Sequence, residues 1–136
     1  MDPYVVLLVD DDDDFRSLLG ELLREVGYRV VEASSGVEAL ALLDEVTPNV
    51  MLLDLAMPTM NGWDLFRRLQ ERAELRKVPI VFLSGLPELA PRGGVMTVSK
   101  PLTPASLTAL LDALPPAAPN DIPLRRLLSD SLPPSP

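Results

Sequence analysis

Five consecutive aspartates, Asp10–Asp14, follow directly on one apolar run, and a lone aspartate, Asp54, follows another. Ser84 ends a third apolar run, and Lys100 closely follows a fourth. Carboxylate oxygens are ligands that Mg²⁺ prefers, and this ion usually keeps several waters beside one or two protein carboxylates. A lysine ammonium and a serine hydroxyl can contact phosphoryl oxygens. Together these residue types suit phosphoryl transfer to a carboxylate, with Asp54 as the nucleophile.

The aspartate run has a simpler explanation when it is considered alone. Five adjacent carboxylates repel one another, and a solvated acidic loop accounts for them without any ligand. Asp54 is different, because it is a single charge within the apolar stretch NVMLLDL, residues 49–55. Burying an unpaired charge is expensive, so Asp54 requires a partner.

The composition limits the classes of function. The 136 residues suffice for one domain with a real core, and the apolar fraction of 47% with 24% charged residues is typical of a globular protein. The net charge of −8 disfavours direct contact with nucleic acid or an anionic membrane and favours basic proteins and cations. Because the chain contains neither cysteine nor histidine, disulfides, thiolate or imidazole metal sites and histidine-based catalysis are excluded.

The two ends of the chain bear on location and domain organisation. The first residues do not resemble a signal peptide, and no apolar run approaches membrane-spanning length, so we expect a cytoplasmic protein without membrane insertion. From Pro115 the chain is rich in proline. We therefore expect one folded domain over residues 1–114 and a mostly extended or disordered tail or linker over 115–136, with at most one short helix near Pro123–Ser129.

Short apolar runs alternate with amphipathic stretches between residues 4 and 114. Five runs predict β-strands, at residues 4–9, 28–33, 49–55, 79–84 and 95–99. Apolar residues at helical spacing from Phe15 to Val26 predict a first helix that stops at Gly27. Ser35 and Glu38 form a capping-box pattern that opens a second helix.

Two more helices are predicted in the second half of the domain. Leu65, Phe66, Leu69 and Ala73 mark the third helix by their spacing. Thr103, followed by Pro104, opens the last helix as its cap. Strands that alternate with helices and are apolar throughout indicate a parallel sheet covered on both faces. Functional sites in such sheets form at the carboxyl ends of the strands, where the aspartates, the serine and the lysine are placed.

Five segments resemble the receiver domains of bacterial two-component response regulators, over Tyr4 to about Leu114. They are LLVDDDDDFRSLL, EASSGVEALALL, NVMLLDLAMPTMNGWDLFRRL, VPIVFLS and SKPL. The third contains D-x-x-M-P-x-M-x-G, a hallmark of the region around the phosphoacceptor in this family. The resemblance implies an α/β, flavodoxin-like (βα)₅ fold with a doubly wound, five-stranded parallel sheet. It also implies a phosphoryl group received from a histidine kinase or a phosphotransfer protein.

The resemblance assigns a role to each candidate residue. Asp54 corresponds to the phosphoacceptor. Asp11, Asp54 and the backbone carbonyl of Ala56 correspond to direct Mg²⁺ ligands, and Asp10 to a ligand acting through water. Ser84 corresponds to the switch hydroxyl, and Lys100 corresponds to the lysine that contacts the phosphoryl group. The resemblance also implies that the peptide bond between Lys100 and Pro101 is cis. The remaining aspartates, residues 12–14, lead into the first helix, where negative charge near the N-terminus is favourable.

Two departures from the family lie close together. Receivers usually carry an aromatic residue three positions before the lysine, and this position is Thr97. The segment of residues 85–97 is several residues shorter than in the family, and it contains Pro87, Pro91, Gly93 and Gly94, which break helices. We therefore expect a shortened or irregular fourth helix, and readout through an aromatic rotamer is not carried over.

Three functions compete on these residues. The leading hypothesis is a phosphoacceptor receiver that signals through an unknown downstream protein, without a further folded domain after Pro115. The alternative is a receiver-like binding module that acts independently of phosphorylation. An enzyme of the aspartyl-phosphatase class would need a general acid at position 56, where Ala56 cannot donate a proton. Beyond self-phosphorylation and slow autodephosphorylation, we therefore expect no enzymatic activity.

Overall fold

The computed structural model describes residues 4–57, 60–85 and 96–114. The elements follow one another in the order β1 (Val5–Val9), α1 (Asp13–Val26), β2 (Arg29–Ala33), α2 (Gly36–Leu43), β3 (Val50–Asp54), α3 (Gly62–Gln70), β4 (Ile80–Ser84), β5 (Met96–Ser99) and α4 (Pro104–Ala113). All five predicted strands are present, each within one or two residues of its expected bounds.

The five strands form one parallel sheet in the order β2-β1-β3-β4-β5. Strands β3 and β4 are buried along their whole length, as expected for strands covered on both faces. The predicted α/β, flavodoxin-like fold is confirmed. The chain moves from β1 to one neighbour, β2, and then returns to the other neighbour, β3, so the strand order reverses between β1 and β3. Their carboxyl ends therefore flank the crevice where such folds bind ligands.

The helices divide the core into two layers, one on each face of the sheet. On one face, Leu19 of α1 and Leu107 of α4 belong to the same apolar cluster as Leu8 of β1. On the other face, Leu65 of α3 belongs to the cluster that contains Leu7. Adjacent leucines of β1 thus point to opposite layers, because side chains alternate across a strand. The sheet therefore lies between two apolar layers.

The third helix ends earlier than predicted. Helix α3 stops at Gln70, and the prediction that it reaches Ala73 is wrong, since Ala73 lies exposed in a turn. The next turn instead places Leu75, which is 2% exposed, in the core. Its backbone N–H donates to the carbonyl of Arg72 at 3.0 Å. A hydrogen-bonded turn that buries Leu75 thus takes the place of the last predicted helical turn.

Two predictions fall on parts of the chain outside the described residues. The shortened or irregular fourth helix would lie between β4 and β5, where residues 86–95 are not described. The proline-rich tail at 115–136 is likewise outside the described ranges. Within those ranges, no helix has both the length and the apolar character that crossing a membrane requires.

Candidate functional site

Asp10 and Asp54 lie side by side at the carboxyl edge of the sheet. The parallel register pairs Val9 with Leu53, so the next residue of each strand segment is an aspartate. Asp10 is 0% and Asp54 2% exposed, whereas the neighbouring Asp11 is exposed. Carboxylate oxygens of these three aspartates lie within 4.8 Å of one another. The structure therefore brings three of the candidate residues into one cluster.

Lys100, which directly follows the edge strand β5, also reaches this cluster. Its ammonium nitrogen lies 2.7 Å from Asp10 Oδ2 and 3.6 Å from Asp54 Oδ2. The backbone N–H of Lys100 donates to the carbonyl of Ser84 at 2.9 Å, which ties the segment after β5 to the end of β4. The peptide bond from Lys100 to Pro101 is cis. Two buried carboxylates thus share one partly buried ammonium group.

Ser84 and Ala56 lie beside the cluster. Ser84 is buried at the end of β4, one residue beyond Leu83, which pairs with Asp54 in the sheet. Ala56 is exposed, and its backbone N–H donates to Asp54 Oδ1 at 3.1 Å. Ala56 therefore contacts the Asp54 carboxylate directly, whereas Ser84 lies at the end of the neighbouring strand.

The surroundings of Asp54 make its carboxyl group a weaker acid than usual. Burial raises the pKa of Asp54 to about 6 from the ordinary value of 3.8. The charge of Asp10 and a side-chain hydrogen bond with Asp11 also raise this pKa, while the Ala56 hydrogen bond and the charge of Lys100 lower it. A further positive charge near Asp54 would therefore stabilise its ionised form and lower its pKa.

The side chains of the cluster have the chemistry that a divalent cation requires. Asp10 Oδ2 is buried and accepts no hydrogen bond within the described part of the chain, although it pairs with the Lys100 ammonium. Three carboxylates within 4.8 Å repel one another, and a single ammonium group lies beside them. Oxygen-only donors of this kind suit Mg²⁺.

The start of α3 is pressed against the end of β3. Asn61 caps the helix, and its side chain accepts from the backbone N–H of Asp64 at 3.0 Å. Gly62 donates its backbone N–H to the carbonyl of Leu55 at 3.2 Å. A β-carbon on Gly62 would stand 2.5 Å from the carbonyl oxygen of Asp54, so only glycine fits. No role was predicted for Asn61 or Gly62 beyond their place in the motif around Asp54.

Asp12 has a structural role that the sequence analysis did not assign. Its side chain caps α1 by accepting from the backbone N–H of Phe15 at 3.1 Å. Its own N–H donates to Asp10 Oδ1 at 2.9 Å, which orients that carboxylate. An aspartate just before the first helical turn is a preferred cap, so this signal was present in the sequence. Asp13 and Asp14 lie in the first turn, as expected.

Two side chains near the cluster were also missed. Arg16 donates to the backbone carbonyl of Asp10 at 2.7 Å and pairs with Glu32 of β2 at 3.2 Å. The ring centroid of Phe15 lies 4.5 Å from the Lys100 ammonium nitrogen. Phe15 was assigned only to the apolar face of α1. No local pattern could have placed its ring beside a lysine from the other end of the domain.

The chain matches the response regulator receiver domain family over residues 6–112. It belongs to this family. The predicted resemblance is confirmed, and the protein is a receiver domain of two-component signalling. Receiver domains are signalling modules that interact with histidine kinases or phosphotransfer proteins, and they bind Mg²⁺ at an acidic site. In the present chain, Asp10, Asp11 and Asp54 form an acidic cluster at the carboxyl ends of the strands.

Relatives and solved structures place this receiver domain in context. It is 36% identical over 115 residues to the probable transcriptional regulator ycf27 of Guillardia theta. The matched region covers 80% of this chain and 44% of the relative. The chain spans about half the length of the ycf27 relatives. The chemotaxis protein CheY4 of Vibrio cholerae is 28% identical, with a TM-score of 0.72 over 81% of this chain and 97% of that one.

A further solved structure contains a metal ion. The receiver domain of the sensor histidine kinase PA1611 from Pseudomonas aeruginosa is 25% identical, with a TM-score of 0.72 over 81% of this chain and 95% of that one. That structure has a magnesium ion coordinated in its active site cleft.

Proposed function

We propose that this receiver domain accepts a phosphoryl group on Asp54 from a phosphohistidine of a histidine kinase or phosphotransfer protein. The observation that carries the proposal is the setting of Asp54, which is buried at the strand end with two carboxylates within 4.8 Å and an ammonium at 3.6 Å. The phosphorylated form would act through a downstream protein in the cytoplasm. These partners and this location are part of the proposal.

The proposed reaction is a direct transfer between the two proteins. A carboxylate oxygen of Asp54 attacks phosphorus, the P–N bond of the phosphohistidine breaks, and its electron pair stays on the imidazole nitrogen. Lys100 would move from Asp10 toward a phosphoryl oxygen, and the Ser84 hydroxyl would donate a hydrogen bond to another. Lys100 already lies 3.6 Å from Asp54 Oδ2, and Ser84 ends the neighbouring strand β4.

Mg²⁺ would be held by the same residues that surround the acceptor. The proposed direct ligands are Asp11, Asp54 and the backbone carbonyl of Ala56, with Asp10 acting through a water. When bound, the ion supplies positive charge to the phosphoryl oxygens and offsets the repulsion among the carboxylates. The raised pKa of Asp54 gives a second reason to expect that the reaction requires Mg²⁺. Only the ionised carboxyl group attacks, and a nearby positive charge favours that form.

The proposal is tested by intact-mass spectrometry after incubation with acetyl phosphate. We expect a mass gain of one phosphoryl group in the presence of Mg²⁺, no gain in the presence of EDTA, and no gain in Asp54→Asn. Asp112→Asn is the matched control, because Asp112 is exposed on α4, away from the strand ends. A beryllofluoride titration covers the case of a phosphoryl group too short-lived to detect by mass.

Binding independent of phosphorylation remains the second candidate. The half-buried Thr97 of β5 favours it, because Thr97 occupies the position of the aromatic residue in the expected switch. A folded protein that neither gains mass nor binds beryllofluoride would contradict phosphoacceptance and favour this alternative. A gain that persists in Asp54→Asn would show that the acceptor lies elsewhere.

A further inference from the structure

The Lys100 ammonium is held by three groups of different kinds. Two are the carboxylates of Asp10 and Asp54, at 2.7 and 3.6 Å. The third is the ring of Phe15, whose centroid lies 4.5 Å from the nitrogen. A cation at this distance is attracted by the negative face of an aromatic ring. Since the Lys100 side chain is only 21% exposed, water weakens this attraction less than it would at the surface.

The ring has a fixed place in the fold. Phe15 lies in the first turn of α1, and its backbone N–H is bound by the capping carboxylate of Asp12 at 3.1 Å. Its half-buried side chain packs against the apolar cluster between the sheet and helices α1 and α4. Lysine, by contrast, has a flexible stem of four carbons and a compact charge. The rigid partner can therefore restrict the position of the mobile one.

The ring contact also differs from the two ion pairs during the proposed reaction. In the proposed reaction, phosphorylation converts the Asp54 carboxylate into an acyl phosphate. In the proposed metal site, the Asp10 carboxylate interacts with the ion through a water as well as with Lys100. Neither event alters Phe15. Among the three contacts of the Lys100 ammonium described above, the ring is thus the one that persists while the ammonium exchanges a carboxylate for a phosphoryl oxygen.

We propose that Phe15 is a positioning residue, which holds the Lys100 ammonium at the acceptor site by a cation–π contact before and after phosphoryl transfer. This inference rests on the proposed function of Asp54 as the phosphoacceptor. Phe15 itself touches neither the acceptor nor the phosphoryl group. Its effect on the reaction is exerted through the position of Lys100.

The contact can be measured without any phosphorylation. The chain contains two lysines, Lys77 and Lys100, so selective ¹³C-lysine labelling gives two sets of NMR signals. Lys77 is exposed and serves as the internal reference. We expect an upfield ring-current shift of the Lys100 side-chain protons, which is lost in Phe15→Leu and kept in Phe15→Tyr. Lys100 signals that match Lys77 and do not respond to Phe15→Leu would overturn the proposal.

The role is measured by the rate of phosphorylation with acetyl phosphate and Mg²⁺. We expect Phe15→Leu to lower the second-order rate constant about 3- to 10-fold, and Phe15→Tyr to stay within about twofold of the natural chain. Phe66→Leu is the matched control. Phe66 is also half-buried, but it packs edge-to-face on Phe82 in the other core layer.

A fluorinated series separates charge attraction from packing and does not depend on Phe15→Leu folding well. Fluorination of the ring at position 15 leaves its shape almost unchanged and weakens its negative face stepwise. The rate is expected to fall with each added fluorine. A rate that stays constant across the series, or a Phe15→Leu rate no different from that of Phe66→Leu, would overturn the positioning role. If the natural chain itself is not phosphorylated on Asp54, the proposed function fails, and this inference fails with it.

Discussion

Gly62 lies directly against the backbone of Asp54. A β-carbon built on Gly62 would stand 2.5 Å from the Asp54 carbonyl oxygen and 2.8 Å from the α-carbon of Leu55. These are backbone atoms at the end of a buried strand, so they cannot move aside as a flexible side chain can. The first residue of α3 thus fixes the direction of the chain immediately after the proposed acceptor.

Replacing Gly62 with alanine should therefore disturb the site. We expect Gly62→Ala to lower the free energy of unfolding by about 1–3 kcal/mol, the usual range for overpacking. Phosphorylation by acetyl phosphate should slow as well, because the end of β3 must shift to admit the added methyl group. Urea denaturation and phosphorylation rates test the two effects.

Gly20→Ala is the matched control for this substitution. Gly20 is buried within α1, and the nearest atoms to its added β-carbon are the ends of the flexible Glu32 and Arg24 side chains, at 3.2 and 3.3 Å. Alanine is favoured over glycine in a helix by about 0.5–1 kcal/mol, so this variant should be as stable as the natural chain or more so. Equal losses in the two variants would contradict the argument from backbone contact.

The raised pKa of Asp54 predicts a pH-dependent stability in the absence of divalent cations. The folded protein keeps the Asp54 proton up to about pH 6, whereas the unfolded chain releases it near 3.8. The stabilising contribution of this group is therefore fully present below pH 3.8 and lost as the pH rises through about 6. Asp54→Asn removes the charge, so at pH 8 it should be more stable than the natural chain by about 1–3 kcal/mol.

The measurement is urea denaturation of both proteins in EDTA at several pH values between 4 and 8. The difference between Asp54→Asn and the natural chain should grow as the pH rises from 4 to 7. Titrating groups that do not interact with Asp54 act equally on both proteins and drop out of the difference, so the difference reports on Asp54 together with its partners Asp10, Asp11 and Lys100. Two pH profiles that stay parallel would show that Asp54 titrates as an ordinary carboxyl group.

Removing the Lys100 ammonium should leave Asp10 as a buried charge without its ion-pair partner. We expect Lys100→Met to lower the free energy of unfolding by about 2–4 kcal/mol at pH 7.5 in EDTA, because the Asp10 side chain is 0% exposed. Adding Asp10→Asn to this variant should recover at least half of the loss. Lys77→Met, at the exposed second lysine, should change stability by less than about 0.5 kcal/mol. A double variant no more stable than Lys100→Met would argue that packing causes the loss.

Binding of Mg²⁺ should raise stability through the aspartate cluster. At a Mg²⁺ concentration tenfold above the dissociation constant, we expect a gain of about 1.4 kcal/mol, seen as a higher midpoint of thermal unfolding. Asp11→Asn should abolish most of this gain. Asp13→Asn should keep it, because Asp13 is 79% exposed and pairs with Arg16. Equal Mg²⁺ responses in these two variants would place the ion outside the cluster.

Much of the fold follows from local patterns in the sequence. Apolar runs predicted the five strands, and Ser35 and Thr103 were recognised as helix caps because capping depends on neighbouring residues. The site residues Asp10 and Asp54 were found because each charge interrupts or ends an apolar run. Local patterns failed where a distant contact decides the outcome, as at Ala73, where the helical spacing continues but Leu75 packs into the core instead.

What the sequence by itself determined is which residue types stand at the strand ends, since strand and helix periodicity arise within a few residues of chain. Only the tertiary structure decided which of the aspartates are buried, which carboxylate Lys100 approaches most closely, and that the ring of Phe15 faces its ammonium. These contacts join segments far apart in the chain. They depend on the order of the strands and on how α1 packs across them, and neither is encoded in any short stretch of residues.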